Sequence, residues 1–297
     1  MISAMTRPDP TKTVPGALIG PEADRDFAAI AAPEIRHRVR LAHLVFHLRR
    51  FSQTWIGKPV GKLLLQVWLN GLPGAKWIER RGLPRRSLEQ LLGPDALIRS
   101  LDPQSLVQFA MHPPGTRHKS PSWSFIHDGD WDLCRVDLRE DYAIKLVRDL
   151  DTHRHDLTQT AKYKELMERV EQGKPWHSHQ EGLYLDSPER ILAYLRVYLG
   201  FLDQMAKQGY DASRAKDYPG IAITREGRIV KVKRGAHRLA MAQWLSLPVM
   251  PFRVSYVHRQ WWDQVTQGAQ GHQALERVRQ ALAQAEPEQH PGPLTPG

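Results

Sequence analysis

The sequence predicts an α+β protein: a small mixed sheet with packed helices, preceded by a basic helical N-terminal region. Three observations predict it. A long helix pattern over 187–209 is followed by a hairpin pattern over 221–232, then a short helix and a last apolar strand over 237–257, an order typical of α+β domains. The 297 residues are 41% hydrophobic and 25% charged, enough apolar content to bury a core. The net charge of +10 is concentrated, because Pro33 to Gln90 holds twelve Lys/Arg against three acidic residues.

The elements follow in order. Residues 1–32, rich in Pro, Gly and Ala, read as a loose arm. From Glu34 to Phe51, Ile35, Val39, Ala42, Val45, Phe46 and Leu48 recur at helical spacing, with Arg36, Arg38, Arg40, Arg49 and Arg50 on complementary positions. Leu63–Leu69 is a second apolar run that stops at Asn70-Gly71. Ser87 with Gln90 reads as a capping box opening a helix over 87–92. The turn-rich 112–122 marks a boundary, and Trp123, Phe125 and Ile126 read as a short strand entering an acidic turn. Residues 139–171 read as helical, highly charged and poorly amphipathic. Ser187 caps the strongest helix, Pro188 fits its first position, Ile191, Tyr194, Leu195, Tyr198, Leu202 and Met205 form its stripe, and Gly209 ends it. Ile221–Thr224 and Arg228–Val232 flank a Glu226-Gly227 turn. A helix over 237–245 and a strand over 249–257 follow, then a helix near 274–285 and a Pro-rich, unstructured tail. The expected division is 1–32 arm, 33–118 basic helical region, 119–265 α+β domain, and 266–297 helix and disordered tail.

Several classes are set aside. The single cysteine, Cys134, excludes an internal disulfide and a cysteine-based zinc cluster. Uninterrupted apolar runs fall far short of the ~18–20 residues that span a bilayer. The opening MISAMTRPDPTKTVPG lacks a signal-peptide layout. The expected location is cytoplasmic, with a peripheral place on the inner face of the membrane open to it.

The segment IVKVKRGAHRLAMAQWLSLPVMPFRV, residues 229–254, carries most of the functional information. A strand delivers the chain to Gly235 and a helix starts at once. Glycine permits close approach of a ligand, and the first helical amides lack internal acceptors. With the positive helix end, Arg238 and Arg234, this is an anion site suited to phosphate, or else an ordinary turn beside solvated arginines.

Gly235-Ala236-His237-Arg238-Leu239-Ala240, followed by Leu245-Ser246-Leu247-Pro248-Val249, resembles the phosphate-binding motif of the ParB/sulfiredoxin superfamily. Gly129-Asp130-Trp131-Asp132 and Val257-His258-Arg259-Gln260-Trp261 are similar to elements of an uncharacterised branch of that superfamily. The resemblance spans residues 123–262. It implies a nucleotide, ATP, ADP or CTP, with Arg234, Gly235, Ala236, His237 and Arg238 at its phosphates. Ala236 stands where sulfiredoxin has its cysteine, which argues against sulfinic-acid reduction. Too little chain follows the match for a DNA reader, so sequence-specific DNA binding is not expected.

The free-serine kinase branch implies transfer of a nucleotide phosphate to a small or lipid-linked hydroxyl acceptor. Such chemistry needs a cradle, usually Mg²⁺, and a carboxylate. Asp130, Asp132 and His237 are the candidate catalytic groups, and Asp128 and Asp130 the candidate Mg²⁺ ligands. Alternate spacing in an extended turn would point Asp128, Asp130 and Asp132 to one side; the other reading is a polar loop with Trp131 as its anchor. The kinase-like relatives usually have Asp before the glycine, where Arg234 stands here, which leaves a non-catalytic, nucleotide-dependent module as the alternative. His43 and His47 lie one helical turn apart on a cationic helix without an HExxH glutamate, and scattered histidines such as His177 and His179 read as solvated. Trp55, Trp68 and Trp77 among Lys and Arg over 33–90 read either as an anionic-membrane surface or as a helix packed on the domain behind it.

Overall fold

The computed structural model describes Phe27 and residues 36–110, 123–178, 182–212, 217–232 and 234–290, apart from the side chains at 36–39, 42, 43, 49 and 50. The arm over 1–32 (Phe27 excepted), Ile35, the boundary loop 112–122, His179, Lys233, the last seven residues and the side chains of Arg36, Arg38, Val39, Ala42, His43, Arg49 and Arg50 lie outside the described residues.

Helix α1 (Arg36–Ser52) is followed by a π-helical turn, Gln53–Gly57, and by α2 (Lys58–Leu69), α3 (Ala75–Arg80), α4 (Arg85–Leu92) and α5 (Pro94–Leu97). Strands β1 (Ile98–Leu101), β2 (Gln108–Ala110), β3 (Ile126–His127) and β4 (Arg135–Asp137) come next. Then follow α6 (Tyr142–Thr152), α7 (Ala161–Glu171), the hairpin β5 (Trp176–Ser178) and β6 (Leu183–Leu185), and α8 (Pro188–Gln208). The last third holds β7 (Gly220–Ile223), β8 (Ile229–Lys231), α9 (Ala236–Trp244), β9 (Met250–His258), α10 (Arg259–Thr266) and α11 (Gly271–Gln284). The protein is mixed α/β, with a mixed sheet and packed helices. Among the described residues no helix is long and apolar enough to cross a membrane.

Two compact units divide the chain, one of residues 1–51 with 142–217, the other of 52–141 with 218–297. This partition cuts across the expected boundaries. Residues 142–217 pack in a unit apart from the sheet, and β1 and β2, from the segment 33–118, are strands of that sheet.

The sheet runs in the order β1-β9-β7-β8-β2-β4, with β3 also on β9. Nine-residue β9 pairs with three strands: β1 lies antiparallel along Met250–Arg253, β3 parallel at Val257 and His258, and β7 parallel on the other edge. Every residue of β7 and β8 is buried, as expected of strands covered on both faces. The hairpin appears where its alternating pattern places it. The short strands β1, β2 and β4 carry too few residues for a period of two to show, and their pairing comes from the sheet.

In the same unit, Glu79 joins three helices: it accepts from Trp68 Nε1 at 2.9 Å and from Trp262 Nε1 at 2.8 Å, both rings fully buried. Ser87 does not cap α4. Pro84 occupies the cap, and Ser87 is buried inside the helix, where a Cβ at Gly61 would lie 3.1 Å from its Oγ. The tail expected to be unstructured pairs over Glu286–Glu288. Ile229 N donates to Glu286 O at 2.8 Å and Glu288 N to Ile229 O at 3.0 Å, alongside the Ile229 end of β8, beyond its pairing with β2 at Lys231.

The other unit is built on α8. Ser187 Oγ accepts from Arg190 N, Pro188 opens the helix, and Gly209 closes it at φ 70°. Its stripe of Ile191, Tyr194, Leu195, Leu202 and Met205 is buried, with Tyr198 half-buried. The charged stretch 139–171 is not one helix: Asp156 and Thr160 side chains cap a 3₁₀ turn and α7 in succession and so interrupt it. Each half then turns apolar residues inward, Leu146 and Leu150 from α6 and Leu166 from α7. Phe27, within the segment expected to be loose, is buried against Tyr194, 5.9 Å between ring centroids.

Candidate functional site

The corner between β8 and α9 is formed by main-chain geometry. Gly235 is the N-cap of α9 at φ 83°, ψ 22°, and a Cβ there would meet Pro219 Cβ at 2.8 Å and its Cα at 2.9 Å. Only glycine fits that left-handed, packed position. The strand ends are tied by Val232 N donating to Gly220 O at 3.0 Å and Gly220 N to Arg234 O at 3.2 Å. Helix α9 has no side-chain cap and no acidic residue in its first turn. Ala236, His237 and Arg238 are half-buried on that turn, and Arg234 is exposed beside it.

Lys231, which no motif in the sequence singles out, lies under this corner. It is fully buried, 5.5 Å from the centre of the Phe109 ring, and its ammonium donates to Val232 O at 2.8 Å and Arg234 O at 2.7 Å. Two loop carbonyls are thereby drawn toward the core. In a trans peptide the N–H points opposite to the carbonyl, so the Gly235 N–H is directed away from Lys231. The available signal was a lysine inside the apolar run Ile229–Val232, where burial requires a dense set of acceptors.

The acidic segment behaves differently from expectation. Asp128, Asp130 and Asp132 do not lie along an extended turn, because Gly129 at φ 85° and the Leu133 N to Asp130 O bond fold the segment; Asp130 and Asp132 nonetheless converge on Arg225 Nη2. Asp128 accepts from the Gly129 N–H at 2.8 Å. Asp130, 75% exposed, pairs with Arg225 Nη2 at 3.0 Å. Asp132 is fully buried and accepts from Arg225 N at 2.8 Å, Nη2 at 2.7 Å and Nε at 3.1 Å. Burial alone would push its carboxyl up; the side-chain and main-chain hydrogen bonds of Arg225 outweigh that and hold it below the usual range. In return Asp132, then Asp130, raise the guanidinium. A carboxylate so saturated is a poor proton acceptor, so Asp132 fastens the hairpin tip.

Trp131 is the anchor of this turn. It packs on Ala222, Val230, Val232 and Tyr256, edge-on to Tyr256 at 4.9 Å, and its Nε1 is buried without a partner. His258 completes the tie. Its Nδ1 accepts from Gln260 N at 3.0 Å, which leaves the proton on Nε2 to donate to Gly129 O at 2.9 Å.

The two segments are not brought together. Gly235 stands at the Gly220 end of β7, whereas the Asp132 carboxylate is bound at Arg225, beyond its Ile223 end. Five residues of extended chain separate these ends by roughly 15 Å. Of the two aspartates named for Mg²⁺, Asp128 accepts from its neighbouring amide and Asp130 pairs with a guanidinium. Among the described residues, no three His, Cys, Asp or Glu side chains gather as a metal site. Of the remaining candidates, His47 is exposed on α1, His177 is exposed on β5, and Cys134 is half-buried. A cavity of about 400 Å³ lies at α5, β1 and α11, lined by Asp95, Ile98, Arg99 and Arg279 and by none of the candidate residues. Comparison of the chain with protein-family models, curated proteins and solved structures finds no match.

Proposed function

We propose that this chain is a nucleotide-binding module that receives the phosphates of a nucleoside di- or triphosphate at the corner between β8 and α9. The observation that carries the reading is the main-chain geometry there: a left-handed Gly235, an uncapped start to α9, and loop carbonyls held inward by Lys231. Carbonyls turned toward an ammonium leave the opposite side of the loop to N–H groups, and the positive helix end favours an anion on that side. Arg234, His237 and Arg238 supply the side chains, and the resemblance of Gly235–Arg238 to the ParB/sulfiredoxin motif supports ATP, ADP or CTP as the ligand.

Phosphoryl transfer to a small or lipid-linked hydroxyl acceptor would require a carboxylate beside the phosphates. The three aspartates considered for that role lie at the far end of β7, and Arg234 occupies the place where the kinase-like relatives have Asp. Both observations favour binding without transfer. A thermal-shift panel of ATP, ADP, CTP and GTP, with and without Mg²⁺, tests it. A ligand at a hundred times its dissociation constant stabilises by about 2.7 kcal/mol, several degrees in a chain of this size. The expected outcome is such a shift in the wild type and in Asp130→Ala, loss of it in Arg238→Ala, and no nucleotide turnover. Equal shifts in Arg238→Ala would overturn the site, and turnover abolished by Asp130→Ala would establish the transferase instead.

A further inference from the structure

We propose that the outer face of the π-helical turn and α2, together with α3, docks on an anionic lipid bilayer. Helix α2 is apolar on two sides. Gly61, Leu65 and Trp68 face the core of their unit, while Ile56, Val60 and Leu63 form a second stripe at i, i+4, i+7 that faces water. Trp55 is 70% exposed, Leu63 66% and Trp77 56%, and Leu72 is exposed between α2 and α3. An array of this size, with indoles at its margin, is what an interfacial helix presents to the headgroup and acyl boundary.

The charges select the partner. Lys58, Lys62, Lys76, Arg80 and Arg81 are exposed around the array, and Arg81 stacks over Trp77 at 4.6 Å. Between Ser52 and Gln90 the sequence has two acids, and both are engaged: Glu79 by the two indoles, Glu89 by Arg85 at 2.8 Å and Arg253 at 3.0 Å. With both carboxylates of its own segment engaged, the face carries a cationic rim that fits anionic headgroups, against which the exposed Asp263 of α10, near Glu79, sets a single negative charge. A second copy of the same face would set like charges against each other, and nucleic acid would use the cations while leaving Ile56, Val60 and Leu63 wet. The bilayer alone satisfies both halves of the surface.

Flotation of the full chain with phosphatidylcholine vesicles, with and without phosphatidylglycerol, tests the assignment independently of the nucleotide site. The protein should float with the anionic vesicles, not with the neutral ones, and binding should weaken as salt rises. Trp55→Ala with Leu63→Ala, and separately Lys58→Glu with Lys62→Glu, should each lower partitioning at least about tenfold, the scale at which one or two such contacts are lost. All four side chains are exposed, and thermal melts of the variants check that each remains folded. Failure to float, equal flotation of the variants, or equal binding to neutral vesicles overturns the proposal. So does a dimer or a nucleic-acid complex that these substitutions abolish in place of vesicle binding.

Discussion

Removing the Asp132 carboxylate would strand the Arg225 guanidinium and main-chain N–H at the hairpin tip, with a buried gap between them. Asp132→Ala should therefore cost about 3 kcal/mol, the usual size for breaking a buried pair from one side, read as a lower urea midpoint. The acid limb follows from the depressed carboxyl. An unfolded aspartate titrates near 3.9, so just below that pH the unfolded chain binds the extra proton and stability rises with pH. The Asp132 contribution is complete above the unfolded value and is lost as pH falls toward the lower folded one. Urea melts between pH 2.5 and 6 should show that loss in the wild type and a shallower acid limb in Asp132→Asn. Residues at this scale were unequally legible. Gly235, His237 and Arg238 sit in one short segment, where a strand, a glycine and a helix start follow one another in the sequence and the family resemblance rests on them. Arg225 and Lys231 act through partners 93 residues away or through main-chain carbonyls, and no local pattern announces them.

Among the elements, α8 is the clearest because cap, first-position proline, apolar stripe and terminal glycine agree over 21 residues. Ser187→Ala should cost about 1 kcal/mol through the lost acceptor at Arg190 N, and Ser187→Asp should retain the wild-type midpoint. The same motif misled at Ser87, where Pro84 already sets the chain direction into α4 and the serine is needed as a small residue facing Gly61. Charge masked the periodicity of 139–171, because the break at Asp156 resets the phase between α6 and α7. Strands of three or four residues, such as β2 and β4, owe their conformation to the neighbours that pair with them, which a linear pattern does not contain.

For the molecule as a whole, the concentration of positive charge before Gln90 was readable from composition, but the assignment of chain to units was not. Composition shifts marked residues 112–122 as a boundary, whereas long-range pairing by β1, β2 and the Glu286–Glu288 tail assembles one sheet from three separated stretches. The same pairing places the Gly235 corner and the aspartate turn at opposite ends of β7, and the function proposed above rests on that separation. Amide hydrogen exchange with and without ATP or CTP addresses that geometry most directly. Slower exchange over Gly235–Leu239 is expected when nucleotide is present, with no change over Asp128–Asp132; protection centred on the aspartate turn, or at neither place while nucleotide binds, would overturn the proposed site.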